Sequence, residues 1–148
     1  MASRRKGRIL AFQALYSWDI SSVSTGDLLD FAWLDAEKRE SLDESTAVFS
    51  RHLIMGTIEH MEEIDREIKN HLKNWDFSRL NKVDLAILRM SAFSLLFQDD
   101  ISPSIVIDEA IDISREFGTD ESYRFINGVL DAIRKSRPGD KKGSATAT

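Results

Sequence analysis

The stretch of residues 83–97 constrains this chain more than any other. Wound as a helix, it turns Val83, Leu85, Ile87, Leu88, Met90, Phe93, Leu95, Leu96 and Phe97 to nearly every side and leaves only a narrow polar strip. A helix that is apolar all round has to be wrapped by others. A strand is excluded by the length of the run and by its lack of period-two alternation. Asn81 stands where an N-cap belongs, and Asp84, three residues on, suits the positive end of the helix dipole. The expectation is an all-α domain built as a shell of amphipathic helices around one rod.

The rest of the chain supplies that shell. A first helix is predicted from about residue 3 to 18, with Ile9, Leu10, Phe12, Leu15, Tyr16 and Trp18 on its apolar face. A polar break at residues 21–26 precedes a short helix over 27–34, and the charged, Ser-rich residues 35–44 read as a connection. A long helix is predicted over about 45–75, because Ile54, Ile58, Met61, Ile68, Leu72 and Trp75 keep a 4-3 rhythm interrupted by Asp65. Gly56 and Thr57 mark where it would break, since glycine weakens a helix interior by about 1 kcal/mol. Ser102-Pro103 and Gly118 bracket a helix over 103–117. Its Ile105, Val106, Ile107, Ala110, Ile111 and Ile113 should face inward, and Asp108, Glu109, Asp112 and Glu116 outward. A last helix over 120–135 follows, with Phe125, Ile126, Val129, Leu130 and Ile133 on one face and Gly128 expected at a close helix contact. Residues 137–148 have nothing to bury and are expected to be disordered, which leaves one domain over 1–136.

Charge is polarised along the chain. The net charge is −5, yet Arg4, Arg5, Lys6 and Arg8 crowd four cations into one helix start. Cations there oppose the macrodipole and need another reason to be present; phosphate contact is one. The acidic remainder argues against nonspecific nucleic-acid binding over the whole surface. No run of 18 apolar residues and no signal-peptide pattern is present, so a cytoplasmic protein without a membrane segment is expected.

Catalytic chemistry is poorly provided for. Cysteine is absent, which removes disulfides, thiolate metal sites and thiol nucleophiles. His52, His60 and His71 are spaced by eight and eleven residues, whereas metal-binding pairs on a helix want three or four. The run Glu59, Glu62, Glu63, Asp65 and Glu67 lacks the Glu-x-x-His pairing of a carboxylate-bridged dimetal bundle and reads as a solvated face. No glycine-rich phosphate loop, nucleophile elbow or His-Glu-x-x-His motif occurs. At 148 residues one folding unit is expected, acting as a binding protein rather than an enzyme, with no cofactor and no metal.

Four segments in order carry a resemblance: Arg4 through Tyr16 (Arg-Arg-Lys-Gly-Arg-Ile-Leu-Ala-Phe-Gln-Ala-Leu-Tyr), Val83 through Arg89, Ser102-Pro103 through Ile111, and Ser122 through Asp131 with its Phe-Ile-Asn-Gly-Val-Leu-Asp run. Together they resemble the NusB family of bacterial transcription antitermination factors over residues 3 to about 135. The resemblance implies two packed three-helix bundles. It also implies binding of single-stranded boxA RNA in ribosomal RNA leader transcripts, jointly with the ribosomal protein NusE, within an RNA polymerase antitermination complex with other Nus factors. Carried over residue by residue, the implied RNA surface holds Arg4, Arg5, Lys6 and Arg8, then Tyr16, Asp84, Arg89, Glu121, Arg124 and Phe125. The chain departs from the pattern at Gly7, which interrupts the basic start, and it matches poorly over residues 23–45.

Chemistry agrees with that surface, because unpaired RNA is read by stacking on aromatic rings and guanidinium planes, and carboxylates accept from base amino groups. Two other readings stand beside it. Tyr16 and Phe125 could belong to the core, and Asp84 with Arg89 could serve the fold alone as an ion pair or cap. The whole chain could instead be a helical protein-binding adaptor without RNA contact, meeting a basic ribosomal protein through Asp108, Glu109, Asp112 and Glu116 or through the acidic face from Glu59 to Glu67. An RNA-binding module related to rRNA cytosine methyltransferases has the same implied fold and is expected to continue into a catalytic domain.

Overall fold

The computed structural model describes residues 3–73 and 76–136, and every regular element among them is helical. In chain order these are α1 (Arg4–Ser21), α2 (Thr25–Leu29), α3 (Ala36–Ser41), α4 (Glu44–Glu59), α5 (Met61–Asn70), a 3₁₀ turn (Phe77–Arg79), α6 (Lys82–Phe97), α7 (Pro103–Phe117) and α8 (Ser122–Ser136). The apolar rod is α6, buried without interruption from Asp84 to Leu95. Its start is fixed by Asn81, whose Oδ1 accepts from the Val83 N–H at 2.8 Å and the Asp84 N–H at 3.3 Å.

Two bundles share this rod. With α1 and α4 it forms one three-helix group, and with α7 and α8 the other, while α5 leans on α6 and reaches α8. Glycines set the close approaches on the first side. A Cβ on Gly7 would lie 2.6 Å from the Phe49 ring, and one on Gly56 would lie 2.1 Å from the ring of Phe93. The departure at Gly7 thus seats α4 against α1, and it does not prevent the helix. Ser3 caps α1 by accepting from the Lys6 N–H at 3.2 Å, and its own N–H donates to Thr46 Oγ1 at 3.0 Å, pinning the basic end to α4.

Several expectations need correction. Residues 36–41, read as part of a connection, form α3, because Asp35 accepts from the Lys38 N–H at 2.9 Å as an N-cap. The short helix α2 ends at Leu29, and Phe31 then takes a left-handed φ of 55° that buries its ring beneath Arg51. The long helix breaks at His60 (φ −108°, ψ 20°) rather than at Gly56 or Thr57, since the Phe93 ring occupies the space that Gly56 leaves. The segment then ends at Asn70, short of the expected end at Trp75, with His71 as its C-cap; Trp75 itself lies outside the described residues, as does the tail from 137.

Helix α1 runs on to Ser21, where Ser22 turns left-handed. On α7 the inward set is Val106, Ile107, Ala110, Ile113 and Ser114; Ile105 stands out at 52% exposure and Ile111 is half-buried. Helix α8 starts at Ser122 instead of 120, because the Ser122 hydroxyl takes the Thr119 N–H at 2.9 Å. Gly128 is exposed with open space around it, so it makes no close helix contact. No helix among the described residues is long and apolar enough to cross a membrane.

Candidate functional site

The site grows from the heads of two helices. Capping by Asn81 turns the first residues of α6 toward the first residues of α8, and the 3₁₀ turn closes the third side. Between them lies a groove of about 550 Å³, lined by Asp84, Glu121, Ser122, Arg124 and Phe125 with Arg79 at its side. Four residues implied by the family resemblance therefore do meet: Asp84, Glu121, Arg124 and Phe125. Glu121 and Arg124 are exposed and Phe125 is half-buried against the core. Arg124 Nε donates to the Tyr123 hydroxyl at 3.0 Å, which holds its guanidinium beside a ring.

Asp84 is the unusual member. It is only 7% exposed, and its Oδ1 has no hydrogen-bond partner. Burial pushes its carboxyl above the ordinary carboxylate range, and a hydrogen bond from Ser122 only partly opposes this. A buried acceptor left unpaired destabilises a fold by about 1–3 kcal/mol, so its retention on a groove floor asks for a ligand that donates to it.

Tyr16 lies next door. With Phe12, Val83 and Phe117 it lines a pocket of about 310 Å³, adjoining the groove through the neighbours Val83 and Asp84. Its ring is 36% exposed, so it is not a core residue. From there a seam leads back to the basic tip. Phe12 meets Phe117 with ring centroids 5.2 Å apart, and further up Arg5 meets Glu109 and Asp112, so α1 and α7 run side by side in the same direction. From Arg5 to Tyr16 the seam covers roughly 16 Å at the helical rise.

The cations of the tip are not equivalent. Arg5 donates through Nε to Glu109 Oε2 at 3.0 Å and through Nη2 to Asp112 Oδ2 at 2.7 Å, and these carboxylates raise its pKa. Glu109 and Asp112, expected on a separate partner face, are thus part of the basic tip, while Asp108 and Glu116 stand exposed. Arg8 is buried over the Phe49 ring at 5.3 Å, and desolvation lowers its pKa. Arg4, exposed, covers the same ring at 4.5 Å. Packing on Phe49 is therefore a second reason, besides phosphate, for cations at this helix start. Lys6 is exposed and turns toward α3, where it lines a slot with Lys38.

Arg89 does not join the groove. It is 9% exposed and reaches across to Asp65 on α5 and Asp19 on α1, tying both helices to the rod. Sequence reasoning missed Arg79, whose only signal was its place just before the Asn81 cap.

The histidines are held in ring stacks and local bonds. His60 stacks on Phe97 at 4.0 Å, and His52 meets Phe93 edge-on at 6.0 Å. His71, Glu67 and Ser136 cluster, but the carboxylate and the hydroxyl both touch Nε2, so the ring cannot relay a proton between them as a catalytic triad does. Among the described residues no three His, Asp or Glu side chains converge to hold a metal.

An all-helical domain that frames a groove between helix heads, with an unpaired acceptor on its floor and a cationic tip along one seam, is built to bind. The chain belongs to the NusB family, whose model matches residues 5–135. It is 55% identical over 133 residues to transcription antitermination protein NusB of Treponema pallidum (strain Nichols), covering 90% of this chain and 93% of the relative. The NusB of Geobacter sulfurreducens is 41% identical over 138 residues, covering 93% and 98%. Among solved structures, T. maritima NusB superposes with a TM-score of 0.83 at 35% identity, covering 97% of this chain and 99% of that one. A crystal structure of the antitermination factors NusB and NusE in complex with dsRNA matches with a TM-score of 0.79 at 28% identity, covering 90% and 96%. These relatives are named as antitermination proteins, not as enzymes.

Proposed function

We propose that this protein is a transcription antitermination factor that binds the boxA RNA of ribosomal RNA leader transcripts together with the ribosomal protein NusE, as part of an RNA polymerase antitermination complex in the cytoplasm. The observation that carries the reading is Asp84: an unpaired, buried carboxylate oxygen on the floor of a groove in a member of the NusB family. A flat base edge with an amino or imino donor is the natural complement of such an acceptor, with the exposed Tyr16 ring nearby.

The related complex contains double-stranded RNA. An unpaired strand suits this chain better, because a base must turn its donor edge outward to reach a groove floor, and pairing occupies that edge. NusE supplies the remaining affinity, since at the basic tip Arg5 is paired with two carboxylates and Arg8 is buried. The adaptor reading keeps one observation in its favour, the pairing of Arg5 with Glu109 and Asp112, which withdraws a cation from RNA.

The test is binding of the full chain with NusE to a boxA-containing RNA, single-stranded and annealed to its complement. Tight, salt-sensitive binding of the single strand that weakens when the complement is added supports the proposal. Equal assembly with and without RNA favours the adaptor.

A further inference from the structure

The groove holds a cation that the family resemblance did not bring in. Arg79 ends the 3₁₀ turn, is exposed, and lines the groove beside Asp84, and among the described residues its guanidinium has no hydrogen bond or ion pair. That freedom contrasts with other guanidiniums named for the RNA surface. Arg5 is spent on Glu109 and Asp112, Arg8 is buried on Phe49, Arg89 is locked to Asp65, and Arg124 leans on Tyr123.

Asp84 and Arg79 cannot serve the same part of a nucleotide. A phosphate at the floor would face a carboxylate, whereas at the rim it would face a free, planar donor suited to two phosphate oxygens. The floor is thus left to a base and the rim to the backbone. We propose that Arg79 is a further RNA-contact residue, holding the phosphate of the nucleotide whose base lies over Asp84. This rests on the RNA-binding function proposed above, and the test keeps the two apart.

Binding of a boxA single strand to the full chain with NusE is measured over a series of salt concentrations for Arg79→Ala, Arg79→Lys, Arg5→Ala, and Arg66→Ala as a charge-matched control on the exposed face of α5. Thermal melts confirm that each variant folds, as expected for exposed positions. Arg79→Ala should weaken binding severalfold and flatten the dependence of log K on log salt by about 0.7, the loss of one single-strand phosphate contact. It should leave the preference for boxA over a scrambled sequence unchanged. Arg79→Lys should keep the slope.

If Arg79→Ala behaves like Arg66→Ala while Arg5→Ala still weakens binding, the inference about Arg79 is overturned and the proposed function stands. An unchanged slope with altered base preference also overturns it, since that result makes Arg79 a base reader. If the unaltered chain contributes nothing to RNA binding, the proposed function fails and takes the inference with it.

Discussion

Arg89 on α6 grips Asp65 on α5 with two parallel hydrogen bonds, Nε to Oδ1 and Nη2 to Oδ2, each 2.9 Å. Asp19 of α1 stands 3.8 Å from the third guanidinium nitrogen, so one side chain joins α5 and α1 to the central rod. Interrupting the 4-3 rhythm of the α4–α5 segment with Asp65 therefore has a structural reason: the seam there receives a cation instead of a methyl group.

The first prediction concerns stability. Arg89→Leu should destabilise the domain by about 3 kcal/mol, because removing one partner of a buried pair leaves an uncompensated charge. The Asp65→Asn, Arg89→Leu double variant should recover part of that loss. Chemical denaturation of the four species measures both; additive losses would mean that the pair is not coupled.

Asp84 sets stability against function. Its carboxyl is raised, so the folded state holds its proton to higher pH than the unfolded state. The penalty for this group is absent at pH below the unfolded value and grows as pH rises through the folded one. Asp84→Asn should therefore raise the melting temperature by a few degrees at pH 7, with the gain vanishing toward pH 3. The same variant should bind boxA RNA more weakly, since an amide oxygen is a poorer acceptor than a carboxylate. Loss of stability at neutral pH would contradict this account of the groove floor.

Arg5 is held by two carboxylates of α7, and under the proposed function it also meets RNA. Neutralising its partners with Glu109→Gln and Asp112→Asn should release the guanidinium and tighten RNA binding severalfold with a steeper salt dependence, whereas Arg5→Ala should do the reverse. Unchanged affinity in both variants would remove this end of the seam from the site.

The glycines give opposite signs. Gly56→Ala pushes a methyl group into the Phe93 ring and should destabilise by about 2 kcal/mol. Gly128→Ala meets open space within α8 and should stabilise by about 1 kcal/mol. Thermal melts of the two variants read both.

What was legible in the sequence was what local chemistry decides. The α6 rod, its Asn81 cap, the Ser102-Pro103 start of α7 and the Gly118 stop all follow from rules that act within a few residues. Misread features depend on partners distant in sequence. Gly7 and Gly56 look like helix weaknesses until Phe49 and Phe93 occupy the space they leave, and Gly128 looks like a contact only while its neighbours are unknown. Helix α3 was hidden because four of its six residues are charged and none is buried, leaving only the Asp35 cap as a signal.

The same divide runs through the site. Asp84, Glu121, Arg124 and Phe125 were named from the family resemblance and fall into one groove. The pairing of Arg5 with Glu109 and Asp112, more than a hundred residues away, depends on α1 and α7 running in parallel, which no local pattern states.

The most direct test of the central claim is hydrogen exchange on the full chain with NusE, recorded with and without single-stranded boxA RNA. The account predicts added protection on RNA binding at the groove, over residues 79–84 and 119–125, and along the seam at residues 5–16. Protection confined to α4 and α5, with the groove unchanged, would contradict it.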